Sequence, residues 1–394
     1  MTHIPAEHIL DHLRALVAAD TSDPVATMSP THGAVTHCVR TLSAAGFEVS
    51  IDDLGDGCVN VLAFRGGSNA HTGVLFNCHL DTVKVNPNWT RDPFTLSVEE
   101  DGPGAKAYGL GACDIKGAAA CLLAVAVATD QPMAILFTTD EEGGKGTCVN
   151  SFVRAHASAW DRVVVAEPTG AKIVCQHRGF ASFEVMFRGT AGHTSRANAS
   201  AGSAIHRAVR WMNSALELAG PGGVLDGSRF NIGIVNGGTA SNVVAAEVTV
   251  RFGFRPEPGA DAAAKTDERV RALKVLLPEH SLIDGSVEWI DRFLAPPLTA
   301  DVRTATVAEE WGVGMGSDVD FWTEAALFAA GAGTSGVLPA VVLGPGDIAQ
   351  AHAADEFVLV SQLEKCAQAY ASIVHAGSGV AAGVADGGGG VNAP

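Results

Sequence analysis

Short apolar runs that alternate with helical stretches constrain the fold of this chain most strongly. VLFNC (74–78), AILFTT (134–139) and RVVVAE (162–167) have the length and the β-branched content of buried strands. The stretches between them, GAAACLLAVAVAT (117–129) and TCVNSFVRAHASA (147–159), are rich in helix-forming residues. This alternation predicts an α/β fold with a central, largely parallel sheet flanked by helices.

The middle of the chain carries a different pattern, which indicates an inserted domain. From residue 178 to 290 the order is strand, helix, strand, strand, helix, strand, which is the ferredoxin-like arrangement of an α+β domain. The sequence therefore predicts a main domain over 1–177 plus 291–376 and an inserted domain over 178–290. The Gly- and Ala-rich residues 377–394 predict a flexible tail.

Composition and charge narrow the range of partners. The chain has 394 residues, 47% of them hydrophobic, so it can bury a large core; its net charge of −17 argues against nucleic acid and anionic membranes as partners. No apolar run is long enough to span a bilayer, and the N-terminus lacks the apolar segment of a signal peptide. The eight cysteines form no CxxC pair, so we expect reduced thiols in a cytoplasmic protein.

Histidine and acidic residues follow the predicted strands, and five of them are candidate metal ligands. Two imidazoles and three carboxylates suit zinc first, with cobalt as an alternative. Five protein ligands exceed the three of an open catalytic zinc site, so they indicate two divalent ions that share a bridging carboxylate. The candidates, which place metal binding in the main domain, are His79, Asp114, Glu142, Glu167 and His352.

Each candidate taken alone has an ordinary structural explanation. Asp114 precedes an apolar helix, where aspartate commonly caps the N-terminus. The acids of TTDEEGG (138–144) could form a solvated loop, and His352 could be a structural histidine. Acids at the end of a buried strand are costly unless cations compensate them, which favours the metal site.

Two further residues are candidates for ligand orientation and proton transfer. Asp81 lies two residues after His79 on an extended segment, so its carboxylate can accept the other ring N–H of the histidine. Glu141 neighbours Glu142 but is not needed as a ligand, which leaves it free to act as a general base. We therefore predict a metal-dependent hydrolase that has Asp81 and Glu141 among its catalytic residues.

The motifs that carry these residues resemble the aminoacylase/carboxypeptidase-type di-zinc metallohydrolases. The resemblance covers residues 8–375 and rests on NCHLDTV, YGLGACDIKG, TTDEEGG, VAEPT and GPGDIAQAHAADEFV. NWTRDPFTL is similar to the acetylornithine deacetylase branch, and RFNIG, RFGFRPEP and DFWTEAALF are most similar to acetylcitrulline deacetylases. The resemblance implies removal of the acetyl group from an N2-acetyl-L-amino acid of arginine biosynthesis, with acetylcitrulline favoured over acetylornithine.

The resemblance also implies roles for individual residues. Asp114 would bridge two metals, with His79 and Glu167 on one and Glu142 and His352 on the other. The inserted domain would be a lid and dimerisation domain of a homodimer. In it, His193 of GHTS would stabilise the oxyanion in its own or the partner's active site. The remaining candidates would bind the substrate: Asn242 and Arg255 its α-carboxylate, and Glu324 the distal end of its side chain.

Alternatives remain open for residues and for function. Arg255 could form a surface salt bridge, and Glu324 could be an acid at the surface or at a helix start. Another N-acyl amino acid deacylase, such as a succinyl-diaminopimelate desuccinylase, or a dipeptidase or carboxypeptidase would share the family resemblance. A non-catalytic binding protein is the remote alternative, and the intact ligand set with Glu141 argues against it.

Overall fold

The structure of the chain is a computed structural model, which describes residues 4–23, 28–66, 73–102, 104–143, 146–156, 159–197, 199–331 and 337–383. The α-helices in these ranges are α1 (Ala6–Val17), α2 (Gly33–Ala44), α3 (Lys116–Ala128), α4 (Thr147–His156), α5 (Ala204–Leu218), α6 (Ala262–Val275), α7 (Val307–Trp311), α8 (Ala325–Ala330) and α9 (Val360–Gly383). The β-strands are β1 (Glu48–Asp53), β2 (Val59–Arg65), β3 (Val74–His79), β4 (Ser97–Asp101), β5 (Gly104–Tyr108), β6 (Met133–Thr138), β7 (Arg162–Pro168), β8 (Phe180–Arg188), β9 (Gly192–His193), β10 (Asn231–Gly237), β11 (Val243–Val244), β12 (Glu247–Phe254), β13 (Val287–Ala295), β14 (Ala340–Gly344) and β15 (Phe357–Leu359).

A six-stranded sheet in the order β1-β2-β6-β3-β7-β14 forms the centre of the first compact unit, which consists of Met1–Cys175, Ala300–Asp318 and Thr323–Pro394. The strands β6, β3, β7 and β14 are parallel, whereas β2 pairs antiparallel with both β1 and β6. The residues of β6 and β14 are all buried, as is typical of parallel strands covered on both faces. The predicted α/β class is thereby confirmed.

The three strands predicted from apolar runs agree with β3, β6 and β7 to within one residue at each end. Helix α3 is buried from Lys116 to Ala126 and packs against α1 and α9. A helix that is apolar on every side needs cover on every side. This packing holds the amino end of α3 in place, and Asp114 lies two residues before it.

The second compact unit consists of Gln176–Thr299 and Val319–Trp322. Its four-stranded sheet has the order β10-β12-β8-β13 and is antiparallel throughout. Helix α5 packs against β8 and β12, and Phe183, Trp211 and Phe252 belong to the core of this unit. The main elements follow the predicted order β-α-β-β-α-β, with the short pair β9 and β11 in addition.

Two boundaries in the structure differ from those predicted. Strand β13 continues past the predicted boundary at 290, because Phe293, Leu294 and Ala295 still pair with β8. Helix α9 continues to Gly383, so residues 377–383 of the predicted tail are helical, and 384–394 lie outside the described residues. None of the helices in the described ranges combines the length and the apolar character that a bilayer crossing requires.

Candidate metal centre and active site

Three candidate ligands lie at the carboxyl ends of neighbouring parallel strands. His79 ends β3, Glu167 is the second-last residue of β7, and Glu142 follows the end of β6. Strand β3 pairs with β6 on one side and with β7 on the other. The segments that leave these strands therefore meet at one edge of the sheet, where sites in parallel sheets are found. Asp114 joins them from the segment before α3, and His352 from the segment after β14.

His79, Asp114 and Glu167 form the first donor group, and all three side chains are buried. The Nε2 atom of His79 lies 3.5 Å from Asp114 Oδ1 and 3.4 Å from Glu167 Oε1. One ligand atom of each residue lies within 4.8 Å of the others. Since zinc binds nitrogen and oxygen at about 2 Å, small side-chain rotations suffice for one cation to contact all three residues.

Asp114, Glu142 and His352 form the second donor group. The Nε2 atom of His352 lies 2.9 Å from Glu142 Oε1 and 3.7 Å from Asp114 Oδ2. The two oxygens of Asp114 thus face different histidines, one in each group. Asp114 Oδ1 is buried and has no hydrogen-bond partner among the described residues, and a cation would satisfy this oxygen. The residues therefore fit two cations with Asp114 between them.

Asp81 supports the first donor group through its backbone as well as its side chain. The Nδ1 atom of His79 lies 2.9 Å from the carbonyl oxygen of Asp81 and 3.4 Å from its Oδ1, so the carbonyl is closer than the carboxylate that the sequence suggested. The Asp81 carboxylate accepts the backbone N–H groups of Glu142 at 2.9 Å and of Glu141 at 3.3 Å. Asp81 therefore orients the His79 ring together with the loop that carries both glutamates.

Glu356 holds the backbone around Asp114, and the sequence analysis did not identify it. Its carboxylate is buried and accepts N–H groups from Gly111 at 2.9 Å, from Cys113 at 2.8 Å and from Asp114 at 2.8 Å. A side chain whose partners are backbone groups leaves no spacing pattern in a sequence. The one available signal is an acid directly before the apolar strand β15, because a buried acid requires partners.

Burial and hydrogen bonding raise the pKa of three side chains at this site when no cation is bound. Burial raises the pKa of Glu141 well above its ordinary value, although His79 opposes this shift. Burial likewise raises the pKa of Glu167 to about 7. The hydrogen bond with Glu142 raises the pKa of His352 to about 9. Divalent cations bind deprotonated ligands, so they would displace the protons that Glu167 and His352 hold.

Glu324 also lies in the first unit, directly before α8, and only 1% of its surface is exposed. Its Oε2 accepts a hydrogen bond of 3.0 Å from Thr138 Oγ1 at the end of β6, while Oε1 has no partner among the described residues. Burial, with a further contribution from Asp140, raises the pKa of Glu324 to about 8. Glu324 is therefore not a surface acid, and contact with the substrate stays a prediction.

His193 and Asn242 lie next to each other in the second unit. His193 belongs to β9, which pairs with β11 directly after Asn242, and the N–H of Thr194 donates to the Asn242 carbonyl at 3.2 Å. The Nδ1 atom of His193 lies 2.7 Å from the hydroxyl of Ser195. Both His193 and Asn242 are exposed, so a ligand can reach them.

Arg255 follows β12 and lines an open cavity of about 540 Å³ in the second unit. Its guanidinium lies over the ring of Phe180, 4.3 Å from the centroid, and no described residue forms a salt bridge with it. Arg229, Arg251 and Arg292 line the same cavity, and no acidic side chain is among its described lining residues. The cavity therefore suits a ligand that carries a carboxylate.

The two donor groups share an aspartate and lie at the carboxyl edge of a largely parallel sheet. A glutamate outside both groups lies beside them. This arrangement defines a metal-dependent hydrolase. The chain belongs to Peptidase family M20/M25/M40, whose family model matches residues 75–376. This membership confirms the predicted family of metallohydrolases and the predicted class of metal-dependent amide hydrolase.

Individual relatives agree with this assignment. The N-acetyl-L-citrulline deacetylase of Xanthomonas campestris is 40% identical over 378 residues, which cover 93% of this chain and 97% of the relative. The acetylornithine deacetylase of Myxococcus xanthus is 31% identical, and the match covers 90% of this chain and 93% of the relative. Among solved structures, the aminopeptidase PepT from Bacillus cereus aligns with a TM-score of 0.71 at 20% identity, over 95% of this chain and 99% of that one, and shares the fold.

Proposed function

We propose that this enzyme removes the acetyl group from N2-acetyl-L-citrulline in preference to N2-acetyl-L-ornithine. The observation that carries the proposal is the pair of donor groups that share Asp114, with Glu141 beside a ligand but outside both groups. The substrate is supported by the 40% identical relative, whose name is N-acetyl-L-citrulline deacetylase. We place the reaction in arginine biosynthesis, as the resemblance in the sequence implies, and in the cytoplasm, in line with the reduced thiols expected from the sequence.

Two divalent cations would occupy the donor groups, with zinc proposed first and cobalt as the alternative, since imidazole and carboxylate ligands suit both. When bound, the cations would supply polarisation of the amide carbonyl and a lower pKa for the attacking water. The proposed ligands are His79 and Glu167 on one side, Glu142 and His352 on the other, and Asp114 between them.

Glu141 would act first as general base and then as general acid. It would take a proton from the water whose oxygen attacks the acetyl carbonyl carbon. It would then deliver that proton to the amide nitrogen as the C–N bond breaks, which gives acetate and a free amine. The N–H groups of Glu141 and Glu142 bind Asp81, so the loop is fixed while the Glu141 carboxylate stays available.

The second unit would recognise the substrate and join two copies of the chain into a homodimer. His193 would stabilise the oxyanion, and Asn242 and Arg255 would bind the α-carboxylate. The exposure of His193 and Asn242 and the cationic cavity around Arg255 support contact with a ligand at each place. Asn242 precedes β12 and Arg255 follows it, so a carboxylate bound by both would require Asn242 of one copy and Arg255 of the other. Glu324 would act on the distal end of the substrate's side chain from the first unit.

The preference for acetylcitrulline is supported by the 40% identical relative and by the resemblance in the sequence, because the charges of the proposed site do not decide between the two substrates. Acetylornithine carries an ammonium group at the end of its side chain, whereas acetylcitrulline carries a neutral ureido group. Glu324, proposed at the distal end, can bind an ammonium group and can also accept N–H bonds from a ureido group. Around the cavity, Glu184 pairs with Arg251 and Arg292, and Asp320 pairs with Arg229, which leaves the charge of Arg255 for the α-carboxylate.

The test is a parallel measurement of kcat/KM for acetylcitrulline, acetylornithine, succinyl-diaminopimelate and a dipeptide, with added zinc or cobalt. We expect acetylcitrulline to be preferred by about tenfold or more, which corresponds to about 1.4 kcal/mol in transition-state binding. A higher kcat/KM for acetylornithine would reverse the proposed selectivity and leave the reaction intact. Exclusive activity on the dipeptide would contradict the deacetylase assignment itself.

A further inference from the structure

A third cluster of metal-binding side chains lies outside the two donor groups and takes no part in the proposed reaction. It consists of Cys58, Asp140 and Cys148, all of them buried, and one ligand atom of each lies within 4.8 Å of the others. The three residues come from different places: before β2, after β6, and from the first turn of α4. We propose that Cys58, Asp140 and Cys148 form a structural site for a thiophilic divalent cation, zinc in the first place.

The surrounding backbone holds this cluster in a fixed geometry. The Val59 N–H donates to Thr139 Oγ1 at 2.8 Å, and the Thr139 hydroxyl donates to the Gly57 carbonyl at 2.6 Å, so both neighbours of Cys58 are bound to the residue before Asp140. The side-chain amide of Asn60 donates to the Cys148 carbonyl at 3.0 Å. The ligands are thus preorganised before any cation binds, which lowers the entropic cost of binding.

The Asp140 carboxylate can hold a cation without leaving its backbone partners, while the S–H bond from Cys58 would be replaced by the metal–sulfur bond. It accepts the Thr147 N–H at 2.6 Å and the Cys148 N–H at 3.3 Å, and the Cys58 Sγ lies 3.7 Å from Asp140 Oδ2. An ionised carboxylate offers about four acceptor positions. The backbone bonds to the amino end of α4 therefore leave positions for a cation on the side that faces the sulfurs.

The donor set selects the kind of cation. Two sulfurs with one carboxylate oxygen favour zinc over magnesium or calcium, which prefer oxygen alone. On binding, two metal–sulfur bonds form and both S–H protons are released to solvent. The two charges of the cation take the place of the two protons, so the net charge of the cluster does not change. Burial raises the pKa of the Cys148 thiol, and the positive charge of a bound cation would offset this cost. A solvent or carbonyl oxygen would complete the tetrahedral coordination.

The position of the proposed site indicates a structural role beside the active centre. Asp140 directly precedes Glu141 and Glu142, so a cation at Asp140 would tie the segment that carries both glutamates to β2 and α4. Structural zinc sites stabilise folds by cross-linking elements in this way. The site would therefore stabilise the loop of the proposed active centre without touching the substrate.

The test measures metal content, which is independent of activity. The wild-type chain, loaded with zinc and freed of excess metal by gel filtration, should retain about three equivalents, one for each group of ligands. Titration with Cd²⁺ should produce the ultraviolet absorption of a metal–thiolate bond. Cys58→Ser and Cys148→Ser should each lose one equivalent and this absorption. Cys175→Ser, at a partly exposed cysteine outside the cluster, should lose neither.

A second measurement keeps the test decisive if those variants do not fold. X-ray absorption at the zinc edge of the wild-type enzyme should show sulfur among the ligands, and the sulfur signal should survive Cys113→Ser, which removes the thiol beside Asp114. Two equivalents of zinc with nitrogen and oxygen ligands alone would overturn the proposal. Loss of the sulfur signal in Cys113→Ser would also overturn it, as would a disulfide between Cys58 and Cys148 in the zinc-loaded enzyme.

Discussion

Asp114 is the single residue on which both donor groups depend. Its Oδ1 lies 3.5 Å from the Nε2 of His79, and its Oδ2 lies 3.7 Å from that of His352. Each of the other candidate ligands belongs to one group only. A change at Asp114 would therefore affect both proposed cation sites, whereas a change at His79 or His352 would affect chiefly one.

Glu141 is the residue that separates catalysis from metal binding. Glu141→Gln removes the proton acceptor but leaves both donor groups intact. We expect turnover to fall by about 100- to 10,000-fold, the usual contribution of general acid–base catalysis, with unchanged metal content. Steady-state rates together with metal analysis measure this. Glu364→Gln, at an exposed position in α9, is the control and should behave as wild type; near-normal turnover in Glu141→Gln would reject the role.

The candidate ligands could be found from the sequence because each follows a recognisable apolar run or turn. An acid or histidine at the end of a buried strand needs a partner, and this requirement shows in the order of residues. Glu356 could not be found in this way, because its partners are backbone N–H groups. Asp81 also accepts the backbone N–H of Glu141. The sequence does not reveal this second role, because the partner is again a backbone group.

At the scale of the elements, the backbone conformation before α3 is held by hydrogen bonds to Glu356, which lies directly before β15. Glu356→Gln keeps the size of the side chain but turns an NH₂ group towards at least one of three N–H donors. We expect the free energy of unfolding to fall by about 1 to 3 kcal/mol, the cost of a buried donor left unpaired, and the metal affinity to fall with it. Chemical denaturation and metal titration measure both effects, with Glu364→Gln as control. Unchanged values of both would contradict the role assigned to Glu356.

In the second unit, an ion pair connects α6 to the segment after β12, and it should make stability depend on pH. Arg269, with 8% of its side chain exposed, binds both oxygens of Glu257. Partial burial raises the pKa of Glu257, but the hydrogen bond from Arg269, a backbone hydrogen bond and the charges of Arg269 and Arg178 together outweigh it and hold the pKa below the ordinary 4.5. The stabilisation is therefore fully present above pH 4.5 and is lost as the pH falls through the lower pKa of the folded state.

We expect Glu257→Gln to lower the free energy of unfolding by about 1 to 3 kcal/mol at neutral pH. The difference from wild type should shrink in acid, because Glu257 then becomes neutral in the wild type as well. Glu268→Gln, at an exposed position of α6, is the matched control. A difference that stays constant from neutral pH down to the acid range would show that the ion pair is not the cause.

The elements themselves were largely predictable, but their ends were not. Buried strands such as β3 and β6 are short apolar runs bounded by polar residues, so the sequence marks both ends. The end of β13 is set by pairing of Phe293 and Leu294 with β8, a long-range contact. The end of α9 at Gly383 lies in an Ala- and Gly-rich stretch whose composition alone suggested a flexible segment.

For the whole molecule, the two compact units follow from two different patterns in one chain. The first unit alternates strands and helices, and the second is antiparallel, so the change of pattern near residue 176 marks the insertion. Local sequence patterns predict each fold, because each unit buries its own core. The roles of the second unit as lid and dimerisation domain depend on contacts that such patterns do not encode, so they stay predictions.

Metal binding should couple activity, stability and pH in the whole enzyme. Chelation should abolish turnover and lower the free energy of unfolding, since a ligand at 100 times its Kd contributes about 2.7 kcal/mol. Added zinc should restore both, and failure to lose activity after exhaustive chelation would contradict the proposed metal dependence.

The pH dependence of that binding has a definite sign. Without cations, the pKa of Glu167 is raised to about 7 and that of His352 to about 9. At neutral pH Glu167 is therefore about half protonated and His352 largely protonated, and a cation must displace these protons, so the affinity for zinc should rise as the pH passes from about 6 towards 9. Calorimetric titration of the chelated enzyme, in buffers of different ionisation enthalpy, counts the released protons directly. Binding without proton release at pH 7 would mean that these side chains are not the ligands.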